Sequence, residues 1–161
     1  MKKLITSLLT TLLLIANIAY AAGTLKDAEV AYAKKDYGKA VKIYTQLALQ
    51  GDVDSQKTLA LLYDHGIGVP QDYAEAFKWY KLAGEQGNSN SQALLGMYYS
   101  MGQGVVQNHV KAHMWLNLAA AQDEPYARDI KETEEKIMTP QQIAEAQKLA
   151  KECLARKYKG C

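Results

Sequence analysis

The chain has 161 residues, with 19 lysines and arginines against 17 aspartates and glutamates, three histidines and two cysteines. A formal charge of +2 over that length excludes the strongly basic face that a nucleic-acid partner requires. Hydrophobic residues make up 48% of the sequence, enough to fill the core of one domain.

Lys2 and Lys3 precede a mostly apolar run from Leu4 to Ala19, and Ala19-Tyr20-Ala21 has the small-x-small form of a cleavage site. Residues 1–21 therefore read as a secretory signal peptide. The rest of the chain is expected in the periplasm, or secreted where there is no outer membrane. A retained anchor is disfavoured: Thr10, Thr11 and Asn17 interrupt the run, which falls short of the ~20 apolar residues that span a bilayer. No stable membrane anchor is expected after cleavage. Without Lys2 and Lys3 the basic count falls to match the 17 acidic side chains, so the slight positive balance belongs to the leader.

The next segment, 22–52, reads as a short helix pair joined through "KKDY". From there a period governs the chain. A shift of 36 residues lays Asp36-Tyr37 on Asp72-Tyr73, Gly51 on Gly87, Ser55-Gln56 on Ser91-Gln92, Leu59 on Leu95 and Tyr63 on Tyr99. It also lays Gly66, Gly68 and Val69 on Gly102, Gly104 and Val105, and Trp79 on Trp115. Matches this dense at one offset mark a repeat array.

Each unit, 53–88 and 89–124, reads as two helices. Asp52 or Asp54 opens the first helix of one unit, and Asn88 or Ser89 that of the next. Gly66 and Gly102 end those helices in a positive-φ conformation. Gly68 and Pro70 turn the chain, with Val69 and Val105 placed to plug the gap between helices. Asp72 caps the second helix, with Glu75 three residues on completing a capping box. The Gly-x-Gly pairs carry no phosphate-cradle context, since no strand precedes them and no Gly-Lys-Ser/Thr follows.

Residues 125–161 leave the period and are read as capping helices. Pro125-Tyr126 starts "ARDIKETEEKI", whose acidic run reads as a solvated face. Thr139 then caps a last helix, with Pro140 at its first position and Gln142 at its third. Its apolar stripe reads as Ile143, Ala146, Gln147, Ala150 and Leu154. In an exported chain Cys153 and Cys161 pair first as a disulfide, with an intermolecular bridge or two free thiols as alternatives.

The run of Leu95, Gly96, Tyr99, Gly102, Gly104, Val105, Ala112, Trp115, Ala119 and Ala120, with its counterpart Leu59, Tyr63, Gly66, Gly68, Val69, Asp72, Ala76, Trp79, Tyr80, Ala83 and Gly87, resembles the Sel-one-like repeat family. That family is related to tetratricopeptide repeats. The resemblance implies an all-α, right-handed solenoid of about two and a half helix-turn-helix units with a C-terminal capping helix. It also implies a non-enzymatic binding scaffold for a protein or peptide: an adaptor, an assembly factor or an inhibitor. One cysteine-rich branch of the family is linked to β-lactams, which suggests a β-lactam- or cell-wall-directed enzyme as the alternative. That branch carries cysteine pairs inside its repeats, and this chain has none there.

In such solenoids the first helix of each unit lines the concave surface. Ser55, Gln56, Leu59 and Tyr63, with their counterparts, share one helical face and read as packing. The positions that vary between units, Thr58/Leu94, Leu61/Met97 and His65/Met101, lie on the other face. These six residues are the expected partner-binding strip, methionine being an adaptable contact residue. The competing reading packs Leu94 and Met97 against a neighbouring helix.

His109 and His113 stand four apart on one helix, but they fill the slots of Tyr73 and Phe77 and read as packing residues. No neighbouring carboxylate in sequence completes a metal set, so neither metal nor cofactor is expected. No nucleophile constellation stands out. The solution state is expected to be a monomer or a weak homo-oligomer.

Overall fold

The computed structural model describes residues 23–161, so the leader assignment lies outside the described residues. Eight helices and no strands are found among the described residues. They are α1 (Leu25–Ala33), α2 (Tyr37–Leu49), α3 (Val53–His65), α4 (Tyr73–Glu85), α5 (Ser89–Met101), α6 (His109–Ala120), α7 (Ala127–Glu135) and α8 (Pro140–Ala155). Sequential helices pack as antiparallel pairs, each pair stacking on the next, which makes a helical repeat solenoid. No described helix is long and apolar enough to cross a membrane.

The helices start where short polar side chains satisfy the free N–H groups of a first turn. Asp52 accepts from the Ser55 N–H at 2.7 Å, and Asn88 accepts from the Ser91 N–H at 2.8 Å. Asp72 accepts from Ala74 and Glu75, at 2.9 and 3.0 Å. The reciprocal half of the expected capping box at this helix is not formed. The Glu75 side chain turns outward to Lys78, a residue three positions along the same exposed face. Complete capping boxes stand instead at Thr24/Asp27 and Thr139/Gln142.

α3 and α5 both end on a left-handed glycine, Gly66 at φ 66° and Gly102 at φ 67°. The second glycine of each corner has a different duty. A Cβ on Gly104 would sit 2.3 Å from the Tyr73 carbonyl oxygen, and one on Gly68 would sit 2.7 Å from the Tyr73 counterpart, Tyr37, at its Cβ. Each corner therefore presses its backbone onto the first residue of the preceding unit's second helix. The Gly-x-Gly spacing is an inter-unit contact as much as a turn.

A second inter-unit device is buried. Gln56 donates through Nε2 to the Ala48 carbonyl, and Gln92 donates to the Gly84 carbonyl one period later, both at 3.0 Å. Gln86 and Gln122 in turn donate to the oxygens of Gln56 and Gln92, both at 2.8 Å. The amide thus ties the end of one helix pair to the start of the next. Gln92→Leu keeps the volume but removes the buried amide donor from the Gly84 carbonyl, which retains the Gly87 N–H at 3.0 Å, and takes away the acceptor of Gln122 Nε2. It is expected to cost about 1 kcal/mol in urea denaturation, and an unchanged midpoint would show the relay to be dispensable.

The core runs along the stack. Ala28, Ala40, Tyr44, Leu59 and Leu62 fill the first junction. Tyr80, Leu95, Tyr98, Trp115 and Leu118 fill the next and continue onto Ala150 and Cys153 of α8. The buried face of α8 is thus Ala146, Ala150 and Cys153, with Leu149 packed beside it. This corrects the expected stripe: Leu154 is exposed and Gln147 faces outward, because Cys153 rather than Leu154 takes the last inward position. Cys153 is bonded to Cys161, their Cα atoms 5.5 Å apart, and the loop so closed lays Tyr158 beside Gly87.

Candidate functional site

The ends of α3 and α5, with the two corners that follow them, enclose an open groove of about 440 Å³. Leu94, Met97 and Met101 form its apolar wall, Met101 remaining 57% exposed. His65, Gln71 and Gln103 supply its polar rim. Four of the six strip residues, His65, Leu94, Met97 and Met101, therefore meet in one place. Thr58 and Leu61 do not line the groove; Leu61 packs partly against the main core. Leu94 shares both duties, since it also touches that core.

The groove's polar floor is a hydrogen-bonded chain of side chains. The Tyr98 hydroxyl donates to Asp64 Oδ1 at 2.6 Å. Burial, and then this bond to the Asp64 carboxylate, push the Tyr98 phenol far above the ordinary tyrosine range, so it stays a donor. Asp64 Oδ2 lies 3.1 Å from His65 Nδ1. Gln71 donates to the Asp64 carbonyl at 2.7 Å and to the Tyr73 hydroxyl at 3.0 Å. Sequence reasoning missed Asp64, Tyr98 and Gln71. Gln71 had a signal in the period, because Gln107 makes the same bond to the Ser100 carbonyl one unit on, at 2.7 Å.

The histidines of α6 require a correction. Carboxylates do lie beside them, brought from α7 by the fold. His109 Nδ1 is 2.8 Å from Glu134 Oε2, and His113 Nε2 is 2.7 Å from Glu135 Oε1. Glu134 is only 4% exposed, so the acidic run of α7 is not wholly a solvated face. The reason is helical periodicity: Glu134 falls on the side of α7 that meets α5 and α6, where Ser100 also donates to it. No group of three or more candidate metal ligands occurs among the described residues. The order hydroxyl–carboxylate–imidazole leaves no imidazole on the Ser100 oxygen, so the cluster holds a helix and activates no nucleophile.

A Sel1 repeat model matches residues 16–52, 53–88 and 89–124, the last two being the units marked by the period of 36. The chain belongs to the Sel1 repeat family. Its first matched repeat begins within the undescribed segment. No curated protein matches the chain. Among solved structures it is similar to a protective antigen present in uropathogenic Escherichia coli strains and displaying an SLR fold. Identity is 26%, the TM-score 0.75, and the match covers 81% of this chain and 30% of that one. It is also similar to a Sel1 repeat protein from Oxalobacter formigenes, at 30% identity and TM-score 0.63, covering 67% of this chain and 44% of that one. This Sel1 chain thus spans less than half the length of either. Sel1 repeats generally serve as non-catalytic scaffolds for protein–protein binding.

Proposed function

We propose that this Sel1 repeat protein is an exported, non-enzymatic binder. It holds an extended segment of a protein or peptide partner in the groove between the ends of α3 and α5, as an adaptor, assembly factor or inhibitor. The observation that carries the reading is the methionine wall, Met101 exposed and Met97 half-buried, beside a hydrogen-bonded polar floor. A space of about 440 Å³ takes a few side chains. Apolar walls with few oriented polar groups are what such sites require. Methionine adapts to bulky apolar side chains, and the half-buried Gln103 and the exposed His65 can meet a partner's backbone. Export rests on the charged, apolar and small-residue pattern of residues 1–21, and the bonded pair of cysteines suits an oxidising compartment.

The test is capture from an envelope extract of the source cells by the wild type and by Met97→Glu/Met101→Glu. Leu94 is spared in that variant because it also packs the core. The double variant is expected to keep the wild-type circular dichroism and to lose affinity by about thirtyfold or more, the scale of one strong interface contact. Equal retention would move the site away from the groove. Retention of no partner by either protein, from envelope extract or from medium, would defeat the binder reading.

A further inference from the structure

The groove between the ends of α3 and α5 holds a charge that the packing of the repeat does not require. Asp64 lines it with a side chain 17% exposed, and no lysine or arginine stands among the described residues that line the groove. One period on, the slot of Asp64 holds Ser100, so the acid is no shared packing residue of the units. α5 carries no charged side chain, and neither does the corner from Gly102 to Asn108. The charges at the starts of α3 and α4 are engaged elsewhere. Asp54 pairs with Lys57 at 3.5 Å, Glu75 pairs with Lys78, and Asp72 accepts from the N–H groups of Ala74 and Glu75. His65 Nδ1 lies 3.1 Å from Asp64 Oδ2, but a neutral imidazole there leaves the carboxylate's charge in place.

The surroundings of Asp64 are those of a seat for a cation. Tyr98 donates to Oδ1 at 2.6 Å, which orients the carboxylate without neutralising it. The Tyr73 ring, 36% exposed, lines the same groove and meets Tyr98 edge-on with ring centres 6.4 Å apart. Gln71 donates to the Tyr73 hydroxyl at 3.0 Å and so ties that ring to the end of α3. Leu94, Met97 and Met101 supply the apolar wall. A basic side chain complements this set. Its head meets the carboxylate and an aromatic ring, and its methylene stem lies along the methionines.

We propose that the partner segment presents a lysine or arginine to Asp64, next to a bulky apolar residue that packs on Met97 and Met101. This rests on the groove reading given above and adds the partner's chemistry to it. The carboxylate is withdrawn from most of the water before a partner arrives, so binding adds little further desolvation of it. The same charge repels an acidic segment, which gives the groove a sign as well as a shape. A purely structural Asp64 would serve only as the acceptor for Tyr98. Asp64→Asn separates the two duties, because it keeps an acceptor oxygen for Tyr98 and removes the charge.

The test selects a random peptide library displayed on phage against the protein, above the pH range in which an imidazole ordinarily gains its charge. Enriched peptides are remade with blocked ends, and their affinities are measured by calorimetry. Groove ligands are those that weaken on Met97→Gln/Met101→Gln, a neutral pair that leaves the groove's charge unchanged. They are expected to carry a lysine or arginine beside a bulky apolar residue. Replacing that cation by glutamine is expected to lower affinity for the wild type about tenfold or more, and for Asp64→Asn by less than about twofold. The peptide exchange on the wild type decides by itself whether a cation is recognised, whatever Asp64→Asn does to stability. The proposal is overturned if the groove ligands lack a cation, or if losing the cation weakens binding to Asp64→Asn as much as to the wild type; the groove reading then stands without it. If no selected peptide depends on Met97 and Met101, the groove reading itself fails, and this proposal with it.

Discussion

Gly104→Ala is expected to destabilise the protein by about 3 kcal/mol or more, from about 1–2 kcal/mol for a side chain in a left-handed backbone plus the cost of parting two helices. The added Cβ meets backbone rather than a movable side chain: the Tyr73 oxygen at 2.3 Å, its carbonyl carbon at 2.4 Å and the Ala74 nitrogen at 2.7 Å. Relief requires the α5–α6 corner to lift from the start of α4, which loosens the junction behind the groove. Gly51→Ala separates the two contributions. Gly51 has φ 92° with nothing within 4 Å of its would-be Cβ, so it carries only the backbone penalty. Urea denaturation of both variants decides the matter. Equal losses would mean that the corner gives way freely and that the second glycine is only a turn residue.

Trp115→Ala is expected to cost about 3–5 kcal/mol, lowering the thermal midpoint by roughly 10 °C for a domain of this size. Trp115 is 1% exposed and sits where the second unit, the third unit and α8 converge, with Tyr98, Leu118, Ala150 and Cys153 in the same cluster. Its counterpart Trp79 is half-buried and bridges two clusters at their edge. Trp79→Ala is therefore expected to lose clearly less. Calorimetry of the two variants tests whether burial or repeat position sets the value of a tryptophan here. A larger loss at Trp79 would place the centre of the core one unit earlier.

The fold was legible because copies of one unit repeat their packing residues. Ser55 and Ser91, Gln56 and Gln92, Leu59 and Leu95 announce a shared inward face, and all six are buried. The caps at Asp52, Asp72 and Asn88 were readable from local chemistry alone. What repeats in identity was found; what repeats only in position was missed. Glu134 stands in the slot of Tyr98 and His109 in that of Tyr73, yet tyrosine and glutamate share no pattern a sequence comparison would register. Only the juxtaposition of α6 and α7 shows that a contact has been kept while its chemistry was exchanged. The groove failed to include Thr58 and Leu61 for a different reason. Variability between units selected a helical face, whereas the opening lies at helix ends, where the two corners stand apart.

The contacts between units also say where the molecule could grow. Tyr37 and Tyr73 offer the same landing point to the following corner, and Ala48 and Gly84 the same carbonyl to the following glutamine. A copy of residues 53–88 spliced in after residue 88 would find, on both of its sides, the same corner landing point and the same glutamine carbonyl. The same insertion after residue 124 would set the Leu62 and Tyr63 side chains of the copy against His109 and His113, where the fit is to glutamates. Length is thus an open variable on one side of the array and a closed one on the other, and the chemistry of the last joint is what closes it.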